Sequence, residues 1–177
     1  LNKPNDGMLS QTITKSKKAN SKWFSKVGYV YQNPVYQLFM PTLLSEISFK
    51  AKSEERAREM INAFGLSGLE QRHPQSLSEG QKRRASIAAV CASEPTVLFL
   101  DEPTGGVDPV TRRNFWEMIY KAASKGVTVF VTTHYMDEAE YCDRVSVMVD
   151  GRIEALDSPA ALKERYGAKD MDEVFTK

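Results

Sequence analysis

Thr96-Val97-Leu98-Phe99-Leu100-Asp101-Glu102-Pro103 is an unbroken apolar run that ends on two carboxylates and a proline. A short continuous run bounded by a turn signal reads as a strand buried on both faces, the kind that parallel sheets contain. Downstream the pattern alternates. Residues 112–124 form an amphipathic helix, 127–132 a second apolar strand, 136–142 a short helix and 145–149 a further strand. Asp150-Gly151 then turns the chain into residues 152–156, which predicts a hairpin. A helix and a polar tail follow from residue 158. Upstream, Val27-Gly28-Tyr29-Val30-Tyr31 is β-prone and stops at the turn signal Gln32-Asn33-Pro34. Apolar strands separated by helices predict an α/β fold with a parallel sheet covered on both faces.

Residues 42–93 read differently. Ala57, Met60, Ile61 and Phe64 recur at spacings of three and four, the mark of one apolar helix face, and Gly65-Leu66-Ser67-Gly68 ends that helix. After a polar stretch, Leu77-Ser78-Glu79-Gly80 leads into a second helix with Ser78 or Gly80 as its cap. Four segments result: 1–41, 42–93 as a helical subdomain, 94–157 as the α/β core, and 158–177 as a C-terminal helix and tail.

Composition narrows the function. In 177 residues, 24 Lys and Arg balance 23 Asp and Glu, so no global basic excess calls for nucleic acid or an acidic membrane as partner. Locally, no acidic residue occurs from Gly7 to Ser45, while Lys15, Lys17, Lys18, Lys22 and Lys26 gather around Trp23 and Phe24; a solvated basic edge is the simplest reading. Cys91 and Cys142 form no CxxC pair, so neither a disulfide framework nor a zinc knuckle is indicated. The longest apolar runs fall far short of the roughly 20 residues that cross a bilayer. A membrane role therefore needs another chain.

In open parallel α/β sheets ligands bind beyond the carboxyl ends of the strands. The polar residues there are Gln32, the pair Asp101-Glu102, and His134. With the pieces between them, these residues resemble the nucleotide-binding domain of an ABC transporter. Gly28-Tyr29-Val30-Tyr31-Gln32-Asn33-Pro34 looks like the Q-loop and Leu77-Ser78-Glu79-Gly80-Gln81 like the signature motif. Val97 to Pro103 resembles Walker B with its adjacent glutamate, Gly106-Val107-Asp108 the D-loop, and Thr132-Thr133-His134 the switch histidine. Five motifs stand in the family's order over most of the chain.

The resemblance implies a P-loop NTPase (RecA-like) sheet with an inserted helical subdomain, ATP and Mg²⁺ at the site, and a dimer with two nucleotides at its interface. It also implies a permease partner and a place on the cytoplasmic face of the membrane. Asp101 would hold Mg²⁺ through water, since this small hard cation keeps much of its hydration. Glu102 would orient and polarise the attacking water, His134 would contact the γ-phosphate, and Gln32 would reach Mg²⁺ and the water. Ser78, Gly80 and Gln81, at the start of a helix, would receive the partner subunit's γ-phosphate on backbone N–H groups, with Asp108 at the same interface. Glu79 stands where the motif usually has glycine. Its carboxylate repels a triphosphate unless it points away.

No stretch matches G-x-x-x-x-G-K-[ST], the Walker A loop that cradles phosphates. In the family that loop and its helix lie just before a turn resembling Lys3-Pro4-Asn5-Asp6-Gly7. The chain, which begins inside that turn and without Met, is accordingly expected to be the carboxyl-terminal part of something longer, with little MgATP affinity and a tendency to aggregate by itself.

Subfamily features divide. The stretch from Gln32 to Thr42 and Leu77 to Arg84 resembles ATPases of energy-coupling-factor importers of vitamins, cobalt or nickel. From Phe99 onward, Thr104-Gly105-Gly106-Val107-Asp108-Pro109 and Thr133-His134-Tyr135-Met136-Asp137-Glu138-Ala139 look like the multidrug-export branch. A chimera joined near Leu98 to Pro103 is one reading; a single protein with mixed features is the other. Phe39, Met40, Pro41 and Leu43 either line a groove for a permease helix or pack the helical subdomain. Soluble ABC machines of DNA repair or the ribosome and a non-catalytic remnant are the alternatives by class. Only 45 positions separate Gln32 from Leu77, too few for the long coiled-coil insertion of the repair proteins.

Overall fold

A computed structural model describes residues 24–107 and 109–177. The turn at residues 3–7, the lysines at 15, 17, 18 and 22 with Trp23, and Asp108 of the expected D-loop lie outside them. The chain forms two compact units, the first ending at Val131 and the second spanning Thr132–Lys177.

In the first unit, strands β1 (Val27–Val30), β2 (Val97–Asp101) and β3 (Thr128–Thr132) lie in that order. β1 and β2 are parallel, with Gly28 opposite Leu98 and Val30 opposite Leu100. The expected helical region resolves into α1 (Leu43–Ser48), α2 (Glu54–Ala63), a 3₁₀ turn at Pro74–Ser76 and α3 (Glu79–Ala92); α4 (Pro109–Ala123) follows β2. The starts of α1, α2 and α3 are chemically marked. Thr42 and Ser45 form a reciprocal capping box for α1, Ser53 caps α2, and Ser78 caps α3. Gly65 and Gly68, at φ of +60° and +83°, turn the chain after α2 in a region that side chains disfavour.

α3 is buried nearly all round from Ala85 to Val90, which explains why its sequence lacks a clear apolar stripe. Ala85, Ala88, Ala89 and Ala92 meet Leu43 and Ile47 of α1, Ile61 of α2, and Leu38, Leu66 and Leu77 in one apolar core. Its opposite side lies on the sheet. A Cβ at Gly28 would stand 2.4 Å from Val90 Cγ1, so only glycine admits this approach.

The expectation of a sheet covered on both faces holds for one face among the described residues. Leu98 and Leu100 are buried on the α3 side, whereas Tyr29, Phe99 and Phe130 form a ladder on the other. The Phe99 and Phe130 rings stack at 5.0 Å, and Tyr29 and Phe130 are 44% and 53% exposed.

In the second unit α5 (Met136–Ala139) precedes the antiparallel pair β4 (Val145–Val149) and β5 (Arg152–Asp157), then α6 (Pro159–Tyr166) and α7 (Met171–Thr176). The hairpin at Asp150-Gly151 is present, both residues at positive φ (49° and 76°) as a two-residue turn matching strand twist requires. α5 is shorter than expected. Tyr141 and Cys142 donate three residues back, to Glu138 and Ala139, so the chain tightens out of α geometry there. Ala139, Ala155, Leu162, Met171 and Val174 form this unit's core.

Candidate active site

Parallel pairing of Val30 with Leu100 brings the ends of β1 and β2 side by side, and with them two separate pieces of chemistry. Gln32 Nε2 donates to Glu102 Oε2 at 2.6 Å, and the Tyr29 hydroxyl donates to Asp101 Oδ2 at 3.2 Å. Each carboxylate at the end of β2 is thus met by a donor from β1 or the residues just after it.

Both sides are held by their backbones. After β1, Gln37 accepts from Tyr31 N and donates to the Tyr29 carbonyl, each at 3.2 Å, while Asn33 Oδ1 accepts from Val35 N. These bonds fold residues 32–37 back on the strand end and fix where Gln32 emerges. After β2, Glu102 has φ +42°, a left-handed conformation uncommon outside glycine. Its carbonyl accepts from Gly105 N at 3.2 Å and from Arg83 Nη1 of α3 at 2.8 Å.

At the start of α3, Ser78 Oγ accepts from Gln81 N and Gln81 Oε1 accepts from Ser78 N, a closed capping box. The two side chains thereby satisfy each other's backbone. Glu79 turns to Lys82, its carboxylate 2.8 Å from the ammonium, so the non-glycine residue of this segment is paired within its own helix. A Cβ at Gly80 would meet nothing within 4 Å; packing inside the chain does not require glycine there.

His134, in the second unit, is exposed, with its ring centroid 4.1 Å from that of Tyr135, whose N–H donates to Thr133 Oγ1. Gln32, Asp101 and Glu102 are thus brought together in the first unit, Ser78, Gly80 and Gln81 share the start of α3, and Asp108 is outside the described residues.

No group of three or more His, Cys, Asp or Glu side chains suited to a metal occurs among the described residues. A cation here would instead be held with the substrate's own oxygens. The donor set fits Mg²⁺ in that manner: Asp101 supplies a partly buried carboxylate, and Gln32, its amide nitrogen engaged by Glu102, offers a carbonyl oxygen.

Three residues escaped sequence reasoning. Arg83 is one of three adjacent cations, Lys82 to Arg84, in the basic first turns of the second helix. Tyr29 reads as a core strand residue. Glu46, although charged, is 5% exposed and accepts from Phe39 N and Met40 N, both at 2.7 Å, pinning that loop. The loop's residues part ways: Leu43 is buried in the helical core, whereas Phe39 is 66% exposed and meets Phe49 edge-on at 6.0 Å.

Comparison with known proteins shows which family the chain resembles. The chain is 43% identical over 178 residues to the energy-coupling factor transporter ATP-binding protein EcfA2 of Bacillus subtilis, covering 92% of this chain and 64% of that protein. It is 48% identical over 114 residues to the probable multidrug ABC transporter ATP-binding protein YbhF of Escherichia coli, covering 64% of this chain and 20% of the relative. Among solved structures, cbiO1 from Clostridium perfringens, part of the ABC transporter complex cbiONQ, superposes with a TM-score of 0.76 at 33% identity over 87% of this chain and 64% of that one. The chain therefore spans less than two thirds of each of these proteins. The family profile described as ABC transporter matches residues 1–105, and the chain belongs to that family.

Proposed function

We propose that this chain carries the hydrolytic half-site of an ATP-binding subunit that drives an ABC transporter. The observation that carries this reading is the Gln32–Glu102 hydrogen bond at the paired ends of β1 and β2, with Asp101 beside it. A carboxylate held at a strand end by an amide is suited to orient a water for in-line attack on a phosphoryl group and to accept its proton. Asp101 and Gln32 would hold Mg²⁺, which when bound neutralises charge on the transferring phosphoryl oxygens. His134 would contact the γ-phosphate.

The start of α3 fits a second role. Its N–H groups and dipole favour an anion, Glu79 is drawn off by Lys82, and the open space at Gly80 admits close approach from outside. Ser78, Gly80 and Gln81, with Asp108, would meet the nucleotide of a second ATPase subunit, which makes a dimer the working form. Residues 42–93 act as the helical subdomain, and exposed Phe39 with Phe49 is where a separate membrane permease docks. No helix of the described residues is long and apolar enough to cross a membrane. The permease would hold the chain at the cytoplasmic face of the membrane.

Similarity to EcfA2 over 92% of this chain favours an energy-coupling-factor importer over an exporter as the setting. Glu102→Gln in the full-length protein tests the central claim. Hydrolysis should fall by about 10²–10⁴-fold while MgATP binding persists, the range for removal of a general base. Unchanged turnover would sink the reading.

A further inference from the structure

We propose that Arg83 is a positioning residue for the hydrolytic carboxylate, a clamp that ties the start of α3 to the backbone of Glu102. The proposal rests on the ATPase reading above and extends it to a residue that holds the backbone of the hydrolytic carboxylate. Arg83 Nη1 donates to the Glu102 carbonyl at 2.8 Å, in a partly buried setting and across 19 positions of sequence. Glu102 is the residue that needs holding. Its φ of +42° is disfavoured for a side chain-bearing residue, and such conformations persist only where the surroundings over-determine them.

The surroundings do so from three sides. Gly105 N closes the turn on the same carbonyl at 3.2 Å, Gln32 grips the carboxylate, and Arg83 adds a charge-assisted bond from outside the turn. Gly105 marks how tightly these groups are gathered. A Cβ there would lie 3.5 Å from the Glu102 carbonyl oxygen, 3.7 Å from Arg83 Nη2 and 4.0 Å from Glu102 Oε2. The guanidinium, the strained carbonyl and the carboxylate thus share one small volume. Arg83 lies on the helix whose first residues are the capped pair Ser78 and Gln81. Movement of that helix start therefore reaches Glu102 through the Arg83 side chain. Each subunit's contact with its partner's nucleotide is linked in this way to the aim of its own base.

The test uses the full-length protein. Arg83→Ala should lower kcat for MgATP about tenfold with KM changed less than about twofold, because the bond that is lost holds the Glu102 backbone and not the substrate. Arg83→Lys, which keeps one charged donor, should recover part of that loss. In a Glu102→Gln background, Arg83→Ala should add no further loss, since it acts through Glu102. Unchanged kcat, a raised KM at unchanged kcat, or an equal loss in the Glu102→Gln background overturns the proposal.

Hydrogen exchange on the same full-length protein separates the clamp from the ATPase reading. Arg83→Ala should speed exchange of the Gly105 amide about tenfold while amides in the middle of α3 keep their protection. A full-length wild-type protein that does not hydrolyse MgATP overturns the ATPase reading and the catalytic role with it. An unchanged Gly105 amide overturns the clamp, whatever the turnover.

Discussion

The side chain of Gln32 reaches across 70 positions of sequence to hold Glu102 Oε2 at 2.6 Å, so the amide proposed to reach Mg²⁺ and the carboxylate proposed to activate water are one hydrogen-bonded unit. Gln32→Ala in the full-length protein leaves Glu102 without this donor. Turnover should drop by about tenfold or more, the scale of one bond to a charged group, with folding unaffected because both residues lie at the surface of the strand ends. Steady-state hydrolysis and a urea melt on the same sample check both halves.

Gly28 sets the distance between α3 and the sheet. Gly28→Ala places a methyl against Val90 and should destabilise the chain by about 1–3 kcal/mol, the usual cost of overpacking a tight core. Denaturation by urea, read by circular dichroism, measures it. The double variant Gly28→Ala/Val90→Ala should recover most of the loss, and its failure to do so would place the strain elsewhere.

Cys91 lines a cavity of about 540 Å³ with Met60, Ile87, Leu98, Phe115 and Ile119, and burial pushes its thiol up to about 11. Only the thiolate reacts, so alkylation by iodoacetamide at pH 8 should be far slower than for a free thiol and should accelerate as pH rises toward 11. Cys142 is raised as well, by burial first and then by the carboxylates of Glu138 and Asp143. Mass spectrometry of each labelled peptide across pH separates the two.

Tyr29 titrates above its ordinary value of 10.0, first through desolvation and then through the Asp101 charge and its hydrogen bond. A raised folded-state value means that the folded chain keeps the phenol proton longer than the unfolded one. The associated stability is whole below pH 10 and is lost as pH climbs through the folded value. Comparison of the ultraviolet titration near 295 nm with that of Tyr29→Phe isolates this group. A component lost at or below pH 10 would contradict the assignment.

The residue types at the strand ends made the grouping of Gln32, Asp101 and Glu102 and the proposed nucleotide chemistry legible, because a Gln, an Asp-Glu pair and a capped Ser–Gln helix start are local signals with local causes. The Asp150-Gly151 hairpin was legible for the same reason: its backbone demands those residues. The Arg83–Glu102 bond was not, since a cation in Lys82-Arg83-Arg84 gives no sign of which one turns inward. Nor was the buried role of Glu46, whose partners are backbone amides that carry no sequence signature. The burial of β3 was over-read. Its apolar residues alternate between half-buried valines and the more exposed Phe130, because Phe130 belongs to the aromatic ladder and not to the face beneath α3.

Glu46 holds Phe39 and Met40 by their amides from below, so the aromatic ring above them stands on a backbone already immobilised before any encounter. The entropy of arranging that loop is spent while the polypeptide folds, so in the proposed permease contact the ring would serve as a preset anchor, its grip set by its fit to the incoming helix and by no loop that must first be tamed.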